Sequence, residues 1–278
     1  MTLAASTHGK GRVRVMRVHR DGMKHEVREL TVKAMLTGGS DRSFTHADNS
    51  TSVSTDTVKN ITNIVARENM ALDNEPFCVV LAKRLLSQYP FLTSVNVDAL
   101  ETKWHRLSVG GKPHDHSFVL DGNGKNSVAV FADKNGVAVS SGVTGFTFLK
   151  STESGWDHIL KDEYTTIRET RDRIASTSMD AIWRWNAEPK NYPATNAKIL
   201  STMLEVFATT YSESVQDSLY RMGTAALAAV SEISEITMAC PNKHYLLMNL
   251  APFGLDNDNQ VFLPTDEPHG QIECTVTR

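Results

Sequence analysis

The chain is poor in the features that mark secreted, membrane-spanning and nucleic-acid-binding proteins. Three scattered cysteines in 278 residues, with no Cys-x-x-Cys pair, favour neither a disulfide framework nor a thiolate zinc site. No apolar run is long enough to cross a bilayer, and the polar N-terminal segment contains no signal-peptide core. Positive charge is not in excess, since the net charge is −3, and a nucleic-acid backbone requires a basic surface. We therefore expect a cytoplasmic protein with neither a membrane nor a nucleic-acid partner.

Apolar residues nevertheless make up 40% of the chain, enough for a sizeable core, and their spacing changes along the first half. Alternation over residues 11–33, with a turn at Asp21-Gly22, indicates a strand pair. Spacings of three and four residues predict helices over 58–65 and 76–85, the first preceded by capping residues at 54–56. Strand patterns return at 95–97 and in a ribbon over 104–149, which carries hairpin signals at 110–111, 121–124 and 135–136.

The second half repeats this order of elements. Strand patterns at 137–149 and 179–185 are followed by helical spacing at 199–207 and 215–226, and then by strand patterns at 233–238 and 245–250. The repetition suggests an internal duplication. We predict an α+β fold of two domains, residues 1–136 and 137–278, each an antiparallel sheet with helices on one face. Long ribbons with open edges favour association between subunits.

Short motifs distributed along the whole chain carry a family resemblance. In order, they are His8-Gly9-Lys10, Ser54-Thr55-Asp56-Thr57-Val58-Lys59-Asn60, Gly111-Lys112-Pro113-His114-Asp115-His116-Ser117-Phe118, Leu149-Lys150-Ser151-Thr152, Asp162-Glu163-Tyr164-Thr165-Thr166, Asp172-Arg173, Ser214-Val215-Gln216 and Pro241-Asn242-Lys243-His244-Tyr245. Any one of them is too short to be informative. In this order and spacing they resemble the urate oxidase (uricase) family.

The resemblance implies both an architecture and an activity. It implies the tunnelling fold, with two such domains per chain, and a homotetramer that forms a hollow barrel with active sites between subunits. The implied enzyme is an oxidoreductase of purine degradation that uses no metal or organic cofactor. It converts urate, dioxygen and water to 5-hydroxyisourate and hydrogen peroxide. Peroxisomal members end in a Ser-Lys-Leu-like signal, whereas this chain ends in Thr277-Arg278, so we expect either a cytoplasmic protein or a chain trimmed at its C-terminus.

The resemblance also assigns a substrate clamp. Urate is a planar anion, and the Arg173 guanidinium can bind its edge through two parallel hydrogen bonds. Gln216 can donate and accept on another part of that edge, and Val215 would contribute its backbone. Trp156 stands where the family usually has a phenylalanine that stacks on urate, and an indole can stack in the same way. Without the resemblance, Arg173 would be interpreted as a solvated helix residue paired with Glu169.

The remaining assignments concern the chemistry. Lys10 and Thr55 resemble the catalytic pair, in which lysine is the base and threonine relays the proton. A lysine with an ordinary pKa is a poor base at neutral pH, and burial can lower that pKa. His244 would complete the relay, and Asn242, two residues earlier on the same strand, would lie near dioxygen or the attacking water.

The family places part of each site on a neighbouring subunit. Asp56 would donate its backbone N–H to the purine, and it would reach the site together with Thr55 from the adjacent subunit. These two residues are expected to face a second group, consisting of Lys10, Arg173, Gln216, Asn242 and His244. A monomer should therefore be inactive.

Three other interpretations are open. His114 and His116 could bind a metal from one strand, but zinc needs a third ligand, and we leave this pair outside the site. A related tunnelling-fold enzyme acting on pterins or other purines would need a zinc triad or a glutamate anchor, and the three cysteines form no such triad. A purine-binding oligomer without activity would have no need of Lys10, Thr55 and His244 together.

Overall fold

Strands and helices follow one another in an order that occurs twice. The computed structural model describes residues 1–278. The first round consists of β1 (His8–Asp21), β2 (Lys24–Thr37), α1 (Asp41–His46), α2 (Thr55–Glu68), α3 (Asn74–Gln88), β3 (Ser94–Thr102), β4 (Trp104–Val109), β5 (Lys112–Leu120) and β6 (Lys125–Asp133). The second consists of β7 (Gly136–Lys150), β8 (Ala175–Trp185), α4 (Tyr192–Thr209), α5 (Val215–Ala229), β9 (Ile233–Leu247), a 3-10 turn (Ala251–Phe253) and β10 (Phe262–Thr277).

The chain divides into two units. The first contains Met1–Gly142 and Glu188–Pro193, and the second contains Val143–Ala187 and Ala194–Arg278. In the first unit β1, β2, β3 and β6 are neighbours in that order and antiparallel, while β4 and β5 form a separate two-stranded sheet. In the second unit β8, β9 and β10 are antiparallel neighbours. The predicted α+β class is confirmed, whereas domains bounded at residue 136 remain a prediction.

Each unit buries one face of its strands under helices. In β3 the alternate residues Val95, Val97 and Ala99 are at most 3% exposed, because they pack against α3. In β9 the residues Ile236 and Met238 are fully buried, and α5 packs on this strand. The twofold periodicity of a strand therefore directs one apolar row inward in both units. No helix is both long enough and apolar enough to cross a membrane.

The structure corrects the sequence-based prediction of two strand regions. Residues 121–124 do not close a hairpin, because β5 pairs with β4 and β6 pairs with β3. The strands predicted at 233–238 and 245–250 are one continuous strand, β9. The last strand, β10, was not predicted, since Pro264 and Pro268 interrupt its pattern. A register shift between Thr265 and Gly270 accommodates the second proline.

A buried arginine fastens the turn between α2 and α3 to β1. Arg17 is 1% exposed, and its guanidinium donates to the carbonyl oxygens of Asn69 at 2.9 Å and Leu72 at 2.7 Å. The same group lies 4.5 Å from the centre of the Phe77 ring. Burial lowers the pKa of Arg17 to about 10, so the side chain still carries its charge at neutral pH.

We expect Arg17→Met to destabilise the protein by about 2–4 kcal/mol, since the two carbonyls would stay buried without a donor. Chemical denaturation monitored by circular dichroism measures the change. Arg20→Met is the matched control, because Arg20 is an exposed arginine of the same strand. Equal stability losses in the two variants would contradict this role for Arg17.

Candidate active site

The loop after β7 is joined by backbone hydrogen bonds to the segment that carries Arg173. Trp156 and Thr170 exchange two hydrogen bonds, with N···O distances of 2.7 and 3.0 Å. The Arg173 N–H donates to the carbonyl oxygen of Ser154 at 2.9 Å. These bonds form a small antiparallel bridge outside the main strands. They place the Trp156 and Arg173 side chains next to each other.

The Arg173 guanidinium is half-buried, and one of its donors forms no hydrogen bond. Its central carbon lies 5.9 Å from the centre of the Trp156 ring. Its Nε atom is buried and has no hydrogen-bond partner. Burial lowers the pKa of Arg173, and the Tyr211 hydroxyl offsets part of this effect. A buried cationic donor without a partner is costly, and a bound anion would remove that cost.

The alternative interpretation of Arg173 is wrong. The segment between Lys150 and Ala175 contains no helix, so a helical pair between Arg173 and Glu169 does not form. Glu169 instead accepts hydrogen bonds from the Lys161 ammonium group at 2.9 Å and from the Ile159 N–H at 3.2 Å.

The same loop also contacts the turn that precedes α5. The Gly155 N–H donates to the Ser212 carbonyl at 2.8 Å, and the Ser212 N–H donates to the Glu153 carbonyl at 2.9 Å. A Cβ atom at Gly155 would lie 2.3 Å from the hydroxyl oxygen of Tyr211, so a larger residue would require the Tyr211 side chain to move.

The helix α5 begins directly after this turn, at Val215. The Ser214 hydroxyl accepts a hydrogen bond from the Asp217 N–H at 3.1 Å and thereby caps the helix. The first N–H groups of a helix have no acceptor within it, so those of Val215 and Gln216 are available to a ligand. The Gln216 side chain is exposed. Backbone hydrogen bonds thus connect the positions of Trp156, Arg173, Val215 and Gln216.

Asn242 and His244 lie near the end of β9, and both are half-buried. Between them, Lys243 pairs with Ser176, which lies close to the start of β8 and thus close to Arg173 in the chain. On the other side of β9, the register shift in β10 falls between the residues opposite Asn242 and His244. The two side chains therefore occupy a region where the regular ladder is interrupted.

The other three predicted site residues lie in the first unit. The helix α2 begins at Thr55, capped by the Ser54 hydroxyl, and both Thr55 and Asp56 are exposed. Asp56 accepts hydrogen bonds from Lys59 and Asn60. The Lys59 hydrogen bond is the main cause of the lowered pKa of Asp56, and the positive charge of Lys10 contributes to it. The strand β1, which carries Lys10, packs against α2.

A second contact explains why β1 comes close to this helix. The imidazole Nε2 of His8 lies 3.0 Å from the carbonyl oxygen of Val53, just before α2. Lys10, Thr55 and Asp56 all belong to the first unit of the chain. The arrangement in which Thr55 and Asp56 face Lys10 and Arg173 from an adjacent subunit remains a prediction.

The structure adds residues that the sequence analysis did not name as contacts. An open cavity of about 810 Å³ lies beside Trp156, and its lining includes Tyr164, Ile167 and Ser214. Tyr164 and Ser214 belong to motifs that carried the resemblance, so their presence there was a usable signal. Ile167 is 57% exposed and had no such signal.

The histidine pair at 114 and 116 lies outside this region, on β5. The two rings are 4.7 Å apart between centres, and His25 is 5.8 Å from His116. No group of three or more His, Cys, Asp or Glu side chains is arranged to hold a metal ion.

Comparison with known proteins places this arrangement in a family. The family model described as Uricase matches residues 6–130 and 139–273. The uricase of Aspergillus flavus is 37% identical over 99% of this chain and 96% of its own length. That of Cyberlindnera jadinii is 36% identical over 100% of this chain and 97% of its own.

The chain belongs to the uricase family. The crystal structure of uricase from Arthrobacter globiformis has a TM-score of 0.95 at 35% identity, covering 100% of this chain and 95% of that one. The uricase structure from Bacillus fastidious, at 22% identity, shares the fold with a TM-score of 0.87. The two uricase matches contain all the predicted site residues, from Lys10 and Thr55 in the first to His244 in the second.

Proposed function

We propose that this uricase-family chain oxidises urate with dioxygen and water to 5-hydroxyisourate and hydrogen peroxide, without a metal or organic cofactor. The observation that carries the proposal is the Arg173 guanidinium, which lies half-buried beside Trp156 and has a buried Nε donor without a partner. A planar anion that accepts two parallel hydrogen bonds and stacks on a ring satisfies both features. Urate has this shape and charge.

Substrate binding would use groups on three connected segments. Arg173 forms a bidentate contact with one edge of urate, and the Trp156 ring stacks on its face. Gln216 and the Val215 N–H, at the start of α5, bind another part of the edge. Because backbone hydrogen bonds join the segments that bear these groups, little motion is needed to bind the substrate.

The chemistry requires removal of a proton from the urate monoanion, because the dianion is the better electron donor. Lys10 accepts this proton through the Thr55 hydroxyl, and the Asp56 N–H binds the purine at the start of α2. Urate then gives two electrons to dioxygen, which leaves as hydrogen peroxide, and water adds its oxygen to the ring. Asn242 holds dioxygen or the attacking water, and His244 shuttles the protons.

The proposed assembly is a homotetramer in which the first unit of one chain meets the second unit of another. Lys10, Thr55 and Asp56 would then approach Trp156, Arg173, Gln216, Asn242 and His244 from the neighbouring subunit. Both groups contain exposed or half-buried polar side chains, which suits a site completed by association. The second unit also exposes apolar residues close to the cavity, such as Leu160 and Tyr164, at 86% and 81%.

We expect the purified protein to remove the ultraviolet absorbance of urate and to release one hydrogen peroxide per urate. The rate should be unchanged after dialysis against a strong metal chelator, since the proposed steps use only side chains and backbone groups of the chain. A peroxidase-coupled assay measures the hydrogen peroxide formed, and an oxygen electrode measures the dioxygen consumed. Xanthine, which lacks the 8-oxo group, is the control substrate.

Two outcomes would contradict the proposal. Urate that stays unchanged in air-saturated buffer would overturn the oxidase activity. Activity lost with the chelator and regained with an added metal would overturn the cofactor-free mechanism but leave the substrate assignment in place.

A further inference from the structure

Asp172 directly precedes Arg173, and its carboxylate is shared between two other segments of the second unit. One carboxylate oxygen, Oδ1, accepts a hydrogen bond from the Thr152 hydroxyl at 2.8 Å. The other, Oδ2, accepts one from the Asn259 amide nitrogen at 3.1 Å. The Asp172 carbonyl oxygen accepts a third, from the Thr170 hydroxyl at 2.9 Å. The motif Asp172-Arg173 carried part of the resemblance, but the proposed reaction gives no role to the aspartate.

Asn259 reaches Asp172 from the connection between β9 and β10, residues 248–261. This connection is closed by Asn257, whose amide nitrogen donates to the carbonyl oxygens of Met248 at 2.8 Å and Val261 at 2.7 Å. The side-chain oxygen of Asn257 accepts hydrogen bonds from the N–H groups of Gln260 at 3.0 Å and Val261 at 2.9 Å. The connection is therefore a closed loop built around one asparagine.

The backbone conformation at Asn259 favours its contact with Asp172. Its φ is +60°, in the left-handed region, which asparagine tolerates better than most residues. This conformation places the side chain at the tip of the closed loop, where it reaches Asp172.

The contact joins two parts of the candidate site. The closed loop continues β9, which carries Asn242 and His244, while Asp172 adjoins Arg173. The Arg173 side chain has few anchors of its own, because its Nε has no partner. Its direction therefore depends on the backbone, through the hydrogen bond to Ser154 and the position of Asp172. Bidentate binding is sensitive to such small rotations.

We propose that Asp172 and Asn259 are positioning residues, which hold Arg173 in the orientation that binds urate. The pair does not touch the substrate, and it acts through Arg173. The inference rests on the proposed function, since it assigns Asp172 and Asn259 to the same site. It adds that the loop between β9 and β10 contributes to urate affinity although it carries no substrate contact.

The test is a swap of the two side chains, with anaerobic urate binding as the main measurement. Without dioxygen the reaction cannot proceed, so the Kd of urate is measured directly. Asn259→Asp places two carboxylates in contact, and we expect the Kd to rise about tenfold or more with kcat changed less than about threefold. Asp172→Asn alone is expected to be mild, because the Asn259 amide can turn and present its oxygen. The double variant, Asp172→Asn with Asn259→Asp, restores one donor and one acceptor and should return the Kd close to the original value.

Three results would overturn the proposal. The first is a Kd unchanged by Asn259→Asp. The second is a double variant that binds as weakly as the single one. The third is a raised Kd together with a lowered kcat and a lowered melting temperature, which indicates a structural contact only. The unaltered protein, assayed alongside, separates this failure from failure of the proposed function, because an inactive parent overturns the oxidase assignment itself.

Discussion

Replacing Lys10 with methionine is expected to lower kcat for urate oxidation by about 10²- to 10⁴-fold, the usual contribution of a general base. The side chain of methionine has nearly the same length but cannot accept a proton. The Arg173, Trp156 and Gln216 contacts are unchanged, so the anaerobic Kd of urate should stay within about threefold of the original value. Steady-state oxygen consumption gives kcat, and titration without dioxygen gives the Kd.

Lys24→Met is the matched control, because Lys24 is an exposed lysine at the far end of the hairpin formed by β1 and β2. It should leave both quantities unchanged. A Lys10→Met variant that turns over urate at the normal rate would remove lysine from the proton relay. A variant that fails to bind urate would instead assign Lys10 to the clamp.

The local structure around the start of α2 and α5 could be predicted from the sequence because the signals are local. Ser54 and Ser214 each precede an amphipathic pattern, and each caps its helix through a hydroxyl that accepts a backbone N–H at 3.1 Å. The side chains that follow are therefore fixed at helix N-termini, where an anion is favoured. This much of the site needs only a window of about ten residues.

The surroundings of Arg173 could not be predicted in this way. The segment from Ser151 to Ile174 is held by bonds to distant residues, such as Gly155 to Ser212 and Asp172 to Asn259. No periodicity within the segment encodes those partners. The strand β10 was missed for a related reason, since its pairing with β9 passes over an irregularity that the sequence shows only as prolines.

Trp156 shows how the two kinds of information combine. The sequence marked it as a departure from the phenylalanine usual at this position in the uricase family. The structure places its ring beside the Arg173 guanidinium and at the wall of the open cavity. A ring in this position can stack on a planar ligand bound by the arginine.

Lys10 and Thr55 belong to the first unit and Arg173 to the second, so variants of these residues can test which chains form one site. Lys10→Met and Arg173→Ala should each be inactive alone, the first in chemistry and the second in binding. If the site joins the first unit of one chain to the second unit of another, mixed assemblies contain sites with neither defect. Random association gives about a quarter of all sites in this state, and slightly more in mixed tetramers alone, so activity should recover to about 25–30%.

The experiment uses co-expressed chains with two different affinity tags, so that only mixed assemblies are purified. Lys10→Met mixed with Thr55→Ala is the control, and it should recover nothing, because both defects lie in the first unit. If activity recovers in the control mixture but not in the mixture with Arg173→Ala, then Lys10 and Arg173 of one site come from the same chain. No recovery in either mixture would mean that each site is formed within one chain. Because Lys10→Met is common to both mixtures and every chain carries one defect, the contrast between the mixtures reports which chain supplies each group.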